Sequence, residues 1–225
     1  MKMKTDIEVS KFFIVILILY MGVGLSTSVL SNSNGARKDL FLDYLKCFNE
    51  KSLPIKLNRT QVLALEDLNN SLTEIDTNLH AFVPAELKKN FNDSKFKGLY
   101  VLPKKYGKNV VLLLHGYVDQ YEANVFKLYL VIYDDDGDVT DYQEVAGFIL
   151  DVWEAYLSID ENYDVRKKTH NYKINRDSKY AILVETNYIY RLSAIGLINE
   201  QSKFSREGFF DEDSHEYKFM KNECN

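Results

Sequence analysis

From residue 97 onward, short apolar runs alternate with clusters of polar turn residues. The continuous run Val110 to His115 is typical of a strand that is buried on both faces. Val125 to Tyr133 and Val139 to Phe148 flank the acidic segment 134–138. Because an Asp-Gly pair between two apolar runs is a strong hairpin signal, this pattern predicts consecutive antiparallel strands.

The same part of the chain contains further strand candidates. They are Leu99 to Leu102, Val152 to Ile159, Val165 to Ile174, Tyr180 to Leu192 and the short segment HEYKFM. No helical segment of 10–15 residues separates these runs, which disfavours a parallel α/β sheet. Residues 199–225 are otherwise charged and weakly patterned.

Before residue 97 the apolar spacing is helical. Arg37 to Asn49 and Thr60 to Asn69 each carry apolar residues at intervals of three and four, and Pro84 suits the first turn of a short third helix. The predicted fold class is α+β, mainly β, with N-terminal helices packed on an antiparallel β meander.

The first residues predict export. Phe12 to Leu25 is apolar and about 14 residues long, which suits a signal peptide and is short for a membrane span of about 20 residues. Lys2, Lys4 and Lys11 flank it, and small residues at 26–28 offer a cleavage site.

Asp6 and Glu8 lie in the flank that should be basic, so an uncleaved signal anchor stays open as the alternative. The predicted organisation is a signal peptide or anchor (1–28), a helical region (29–96) and a β-meander region (97–225) that forms one globular unit with the preceding helices.

Composition narrows the function. Tyr and Phe number 16 and 13, a content that favours pleated sheet. The formal net charge is −5 and no long basic run occurs, so nucleic acid is an improbable partner. A membrane contact is expected only through an uncleaved N-terminal segment.

An acidic cluster invites a calcium interpretation. Four aspartates surround Gly137 within residues 134–138. With Gly137 at the sixth position of an EF-hand loop, Ile132 and Gln143 fall at the first and twelfth positions, where carboxylates are required. An acidic hairpin tip is the favoured interpretation.

Hydrolase chemistry has weak support. The run LLLHG (112–116) resembles a strand end near an α/β-hydrolase oxyanion hole, but no G-x-S-x-G is present, and Ser193 in LSAIG lacks the preceding glycine. Glu185 with Asp151 is one carboxylate pair that a glycosidase site could use. With 33 acidic residues, such pairs are easy to propose.

The histidines and cysteines do not form a recognisable motif. The histidines are His80, His115, His170 and His215, and no two of them have the short spacing of a zinc site. An exported chain permits a disulfide between Cys47 and Cys224, and two free thiols are the equally weighted alternative. The sequence assigns no catalytic, cofactor-binding or metal-binding residue.

Phe41 to Leu57, FLDYLKCFNEKSLPIKL, resembles the start of a group of uncharacterised exported bacterial proteins, in which a helix and a Leu-Pro pair lead into an antiparallel meander. LYLVIYDDDGDVTDYQEVAGF and YKINRDSKYAILVETNYIYRL are similar to the hairpins of this group. The resemblance covers most of the chain after residue 36. It implies export and a β meander, but no activity and no site residue.

These patterns predict an exported, non-catalytic domain that binds a protein or a cell-envelope polymer, located in the periplasm, in the cell envelope or outside the cell. Enzymatic activity stays open. One alternative is an exported glycan hydrolase whose site is assembled from distant residues. The other is a structural component of the envelope that is held by an uncleaved anchor.

Overall fold

The computed structural model of the chain describes residues 35–89, 92–150, 152–174, 181–211 and 216–219. Strands account for 55% of the chain and pair mainly antiparallel. The prediction of a mainly β fold built on an antiparallel sheet is therefore confirmed. The predicted N-terminal apolar segment lies outside the described residues, and none of the described helices is long and apolar enough to cross a membrane.

The described strands are β1 (Asn49–Glu50), β2 (Ile55–Leu57), β3 (Asn92–Lys105), β4 (Lys108–Val118), β5 (Asn124–Tyr133), β6 (Val139–Ile149), β7 (Trp153–Ile159), β8 (Asp164–Ile174), β9 (Ala181–Ser193), β10 (Gly196–Asp211) and β11 (Glu216–Phe219). The helices are α1 (described over 35–45), α2 (Arg59–Leu63) and α3 (Leu65–Ser71), with 3₁₀ turns at Thr77–Phe82 and Ala85–Lys88.

From β3 to β11, each strand pairs antiparallel with the next strand in sequence. Strand β1 adds to β3 in parallel, and β2 pairs antiparallel with β7. The topology is a meander, because neighbours in sequence are neighbours in the sheet.

Strand β4 is buried on both faces, which explains its continuous apolar run. Leu112 belongs to a core cluster with Val62 and Leu65 of the helices α2 and α3. Leu113, one residue on, belongs to a second cluster with Phe41 of α1. Alternate side chains of the strand therefore enter two separate cores.

The sheet curls where β6 leaves β7. These two strands pair only at Gly147–Ile149 with Trp153–Ala155. Gly147 has φ +149°, and a Cβ there would lie 2.3 Å from the Phe126 carbonyl oxygen, so glycine is required. Beyond this point β2 pairs with Leu157–Ile159.

As a result, apolar residues of the later strands pack into the same core as those of the earlier ones. Leu157, Val165 and Leu192 share a cluster with Leu112 and Leu128. The opposite face of β7–β9 carries mainly polar side chains, together with Tyr156 and Ile189.

The second core is centred on buried tyrosine hydroxyls. The Tyr133 hydroxyl donates to the Phe82 carbonyl oxygen at 2.8 Å and lies 2.8 Å from the Tyr44 hydroxyl. Tyr44 and Tyr133 are both fully buried. These bonds join α1, the first 3₁₀ turn and the end of β5.

The helices differ from the sequence prediction. The described part of α1 ends at residue 45, short of the expected Asn49. The helix expected from Thr60 to Asn69 is two helices joined at Ala64, and its cap is Asn58, whose side chain forms a capping box with Gln61. The residues after Pro84 form a 3₁₀ turn, which suits a four-residue segment better than an α-helix.

The sequence prediction missed β1 and β2, which lie in the region expected to be helical, and the long strand β10. Strand β10 spans 16 residues, and its part from 199 to 211 lies in the segment that the pattern described only as charged and weakly patterned. Its register against β9 shifts between Glu200 and Phe204. Four positions of β10 advance there against two of β9, and this even difference leaves the alternation of faces unchanged. The strand was missed because charged side chains interrupt its apolar pattern.

Replacing Tyr133 with Phe should lower the free energy of unfolding by about 1–3 kcal/mol, because the Phe82 carbonyl loses its donor and the Tyr44 hydroxyl loses its acceptor in a buried site. Urea denaturation measures this change. Tyr106→Phe is the matched control, because the Tyr106 side chain is exposed. Equal stability of the two variants would contradict the role of the buried hydroxyls.

Candidate functional site

Four polar residues form a row across one face of the sheet, which we call the polar row: Glu154 on β7, His170 on β8, Glu185 on β9 and Arg206 on β10. Each is directly opposite the next in the strand register. Directly opposite side chains in a sheet have Cβ atoms about 5 Å apart, so the row is continuous. Glu154, His170 and Glu185 are buried.

One end of the polar row is centred on Glu185. Arg206 donates to both carboxylate oxygens, from Nε at 2.9 Å and from Nη2 at 3.2 Å. His170 Nε2 lies 3.0 Å from Oε2, and Lys168 Nζ lies 3.5 Å from the same oxygen. The negative charge of the buried Glu185 carboxylate is therefore balanced by Arg206 and Lys168, and His170 adds a further polar contact.

The other end is centred on Glu154. Arg59 donates to it from Nη2 at 2.9 Å and from Nε at 3.0 Å. The Tyr156 hydroxyl also donates to Glu154 and lies 3.1 Å from His170 Nδ1. Both ring nitrogens of His170 thus face polar partners, which are Tyr156 at Nδ1 and Glu185 at Nε2.

The polar row shifts the pKa values of its members. Burial alone would raise the pKa of Glu185, but hydrogen bonds from Arg206 and His170 outweigh it, and the pKa lies below its usual value. For Glu154, the same balance between burial and the bonds from Arg59 and Tyr156 also lowers the pKa. Burial lowers the pKa of His170, although Glu185 opposes this shift. The polar row therefore favours the charged forms of Glu154 and Glu185 and disfavours charge on His170.

This arrangement suits binding better than acid–base catalysis. The general acid of a glycosidase needs a raised carboxyl pKa, whereas Glu154 and Glu185 have lowered ones. A histidine base needs a ring nitrogen within reach of the substrate, and both nitrogens of His170 face protein partners.

A cavity of about 570 Å³ lies beside the polar row. Its volume falls within the usual range of about 300–1,000 Å³ for small-ligand sites. The cationic residues that line it are Lys56, Arg59, Arg166, Lys167 and Lys168, of which Lys167 pairs with Glu144 at 2.6 Å. Its other lining residues include Asn58, Tyr156, Ser158, His170, Asn187 and Ile189. We call this surface the cationic face.

Positive charge is in excess on this side of β7–β9. Among the side chains that the structure describes there, six are cationic (Lys56, Arg59, Arg166, Lys168, Arg191, Arg206) and three are carboxylates (Glu154, Asp164, Glu185). All three carboxylates are bound by arginine, since Arg191 donates to both oxygens of Asp164 at 2.7 and 3.2 Å. The surplus contrasts with the net charge of −5 for the whole chain.

The residues considered from sequence lie apart from one another. The four aspartates form a hairpin tip, where Asp134 Oδ1 accepts the backbone N–H groups of Asp136 and Asp138 at 3.0 and 2.9 Å. Asp135 pairs with Lys104 at 2.7 Å. Within the described ranges, no group of three or more His, Cys, Asp or Glu side chains is placed to hold a metal ion.

The segment LLLHG lies inside β4 and does not form a turn. His115 is buried there, 2.6 Å from Ser94 Oγ, and burial lowers its pKa to about 4. His80 lies 2.9 Å from the Ile75 carbonyl oxygen, and Ser193 donates to the Gly196 carbonyl oxygen at 2.9 Å. None of these groups borders the cationic face.

Of the remaining candidates, Glu185 belongs to the polar row, whereas Asp151 and His215 lie outside the described residues. Cys47 is half-buried, and its Sγ lies 3.7 Å from the Asp43 carbonyl oxygen. Its proposed partner Cys224 also lies outside the described residues.

Sequence reasoning missed the polar row and the cationic face. The sequence carried one relevant signal, in the run DVRKKTH (164–170). Arg166, Lys168 and His170 are at alternate positions there and so lie on one face of a strand. The partners come from other strands, and only the register brings them together.

Comparisons with known proteins do not identify the chain: no protein family, no curated protein and no solved structure matches it. The candidate site therefore rests on the geometry and charge of the chain itself.

Glu185→Gln should lower the pKa of His170, because the carboxylate is the main group that favours the protonated imidazole. NMR titration of the imidazole resonances measures this pKa. Glu161→Gln is the control, because Glu161 is exposed in the turn between β7 and β8. Two outcomes would contradict the charge balance described for the polar row. One is a His170 pKa above its usual value in the unmodified protein, and the other is a His170 pKa that does not change in Glu185→Gln.

Proposed function

We propose that the chain is an exported, non-catalytic binding domain that recognises a negatively charged partner, either a protein or a cell-envelope polymer, through the cationic face. One observation carries the proposal: unneutralised positive charge is concentrated around a ligand-sized cavity in an acidic chain. Complementary charge favours the approach of an anionic partner and excludes cationic ones.

The proposal includes the domain organisation expected from sequence. A signal peptide (1–28) precedes a helical region (29–96) that packs on the β-meander region (97–225) as one globular unit. The hydrogen bond between the hydroxyls of Tyr44 and Tyr133 and the contacts of Phe41 with Phe82 and Tyr133 support this packing.

A rigid site is what a binding domain requires. Bidentate pairs fix both the orientation and the charge of the groups that they join, and His170 of the polar row lines the cavity. Arg59 and Lys168 each contact a carboxylate of the polar row and also line the cavity. Their positions are therefore set before a ligand arrives, which reduces the entropy lost on binding.

A glycan hydrolase remains the second candidate, because His170 lines the cavity and lies 3.0 Å from the Glu185 carboxylate. Such a pair is a common part of hydrolytic sites. The lowered carboxyl pKa values argue against this role. Release of reducing ends from envelope glycans by the purified protein, abolished by Glu185→Gln and unaffected by Glu161→Gln, would replace the binding proposal.

The binding proposal is tested with polymers of different charge. The purified protein should bind polyphosphate or alginate but not neutral dextran, and affinity should fall as salt rises from 50 to 500 mM because ions screen exposed charges. Lys56→Gln combined with Arg166→Gln should weaken binding by about tenfold or more, since each lost charged contact is worth about 1 kcal/mol.

The matched control is Lys89→Gln combined with Lys95→Gln, which removes the same charge from exposed positions outside the cavity. Isothermal titration calorimetry gives the affinities. An equal loss of affinity in the two double variants would show that only net charge matters and would contradict a defined site. Absence of binding to both anionic polymers would also contradict the proposal.

Export is tested by the intact mass of the protein recovered from its native host, with and without reduction and alkylation. We expect loss of the first 28 residues or so, because the apolar segment has the length of a signal peptide. The same spectra show whether Cys47 and Cys224 are bridged. A full-length product in the membrane fraction would instead support the anchored envelope component.

A further inference from the structure

A second row of residues crosses the cationic face, two positions along the strands from Tyr156 and Lys168. Lys56 on β2, Ser158 on β7 and Arg166 on β8 are directly opposite one another in the register. Lys56 and Arg166 are exposed and Ser158 is half-buried. All three line the cavity. We call them the oxyanion row.

The oxyanion row differs from the rest of the cationic face because its cationic side chains do not form ion pairs with the carboxylates of the described residues. Arg59, Lys168 and Arg206 each contact a carboxylate of the polar row. No ion pair or hydrogen bond involves the side chains of Lys56, Ser158 or Arg166 among the described residues.

The carboxylate nearest along β8 on the same face is Asp164. Arg191 holds it with two hydrogen bonds, and Arg166 contributes only at longer range to the lowering of its pKa. An anion that reaches the oxyanion row therefore meets two cations without having to displace a carboxylate.

The spacing of the three residues fits a single small anion. Neighbouring strands are about 4.8 Å apart, so the backbones of Lys56 and Arg166 lie about 10 Å apart on either side of Ser158. Their long side chains can converge above the serine. The Lys56 ammonium, the Arg166 guanidinium and the Ser158 hydroxyl then supply donors from three directions.

We propose that the oxyanion row binds the phosphate group of an organic phosphate monoester, with the organic part lying over Tyr156 and Ile189 in the cavity. This inference rests on the proposed function, because it names the chemistry of the ligand for the same cationic face. A phosphate monoester carries nearly two negative charges at neutral pH, which match two unengaged cations. Its three free oxygens match the three donors, and guanidinium is well shaped to bind two of them.

A carboxylate fits less well, because it has one charge and two oxygens for two cations and a hydroxyl. A sulfate monoester has the tetrahedral shape but only one charge. Comparing the three anions on one organic group therefore separates the contributions of shape and charge.

The test is isothermal titration calorimetry of the purified chain with phenyl phosphate, phenyl sulfate and benzoate. We expect phenyl phosphate to bind at least tenfold more tightly than benzoate, with phenyl sulfate between them. Ser158→Ala should weaken phenyl phosphate about fivefold, and Arg166→Lys, which keeps the charge but loses the planar fork, should weaken it by a similar factor. Ser71→Ala, on an exposed position of α3, should have no effect.

The outcomes separate this inference from the proposed function. If polyphosphate and alginate bind with the expected salt dependence but benzoate equals phenyl phosphate, or Ser158→Ala has no effect, the phosphate assignment is wrong and the anion-binding function stands. If none of the small anions and neither polymer binds, both are wrong. Circular dichroism confirms that each variant is folded, so that a loss of affinity reports on the oxyanion row.

Discussion

The architecture depends on the separation of β6 from β7 after three residue pairs. Gly147 makes this possible, because its backbone has φ +149° and a side chain there would meet the Phe126 carbonyl oxygen. Strand β2 then pairs with the second half of β7. Apolar side chains on one face of β7–β9 pack into the same core as those of β4 and β5. Burial of these apolar side chains supplies the main driving force for the curl of the sheet.

The curl also determines where charge can accumulate. On the polar face of β7–β9, buried carboxylates would be costly without partners, and arginines from α2 and β10 supply them. Arginines compensate Glu154, Glu185 and Asp164, and within the described residues Lys56 and Arg166 form no ion pair. Under the proposed function, stability and ligand recognition depend on the same face, because its paired carboxylates stabilise the fold and its unpaired cations bind the ligand.

The sequence predicts local elements well and long-range arrangements poorly. The run Val110 to His115 is buried on both faces, as its pattern indicates, and the acidic segment 134–138 is a hairpin tip. The sequence prediction missed strand β10 because charged side chains interrupt its apolar pattern. The alignment of Lys56 with Arg166 could not be predicted from the sequence. It requires β2 to pair with the part of β7 that β6 does not pair with, and Lys56 and Ser158 are more than 100 residues apart in sequence.

The most direct test of the account is the anomalous scattering of arsenate, a phosphate analogue, soaked into crystals of the protein grown without phosphate or sulfate. The account predicts an arsenic peak between Lys56 Nζ and the Arg166 guanidinium, within hydrogen-bond distance of Ser158 Oγ. A cavity without arsenic in crystals where this face is open to solvent would contradict anion recognition by the cationic face.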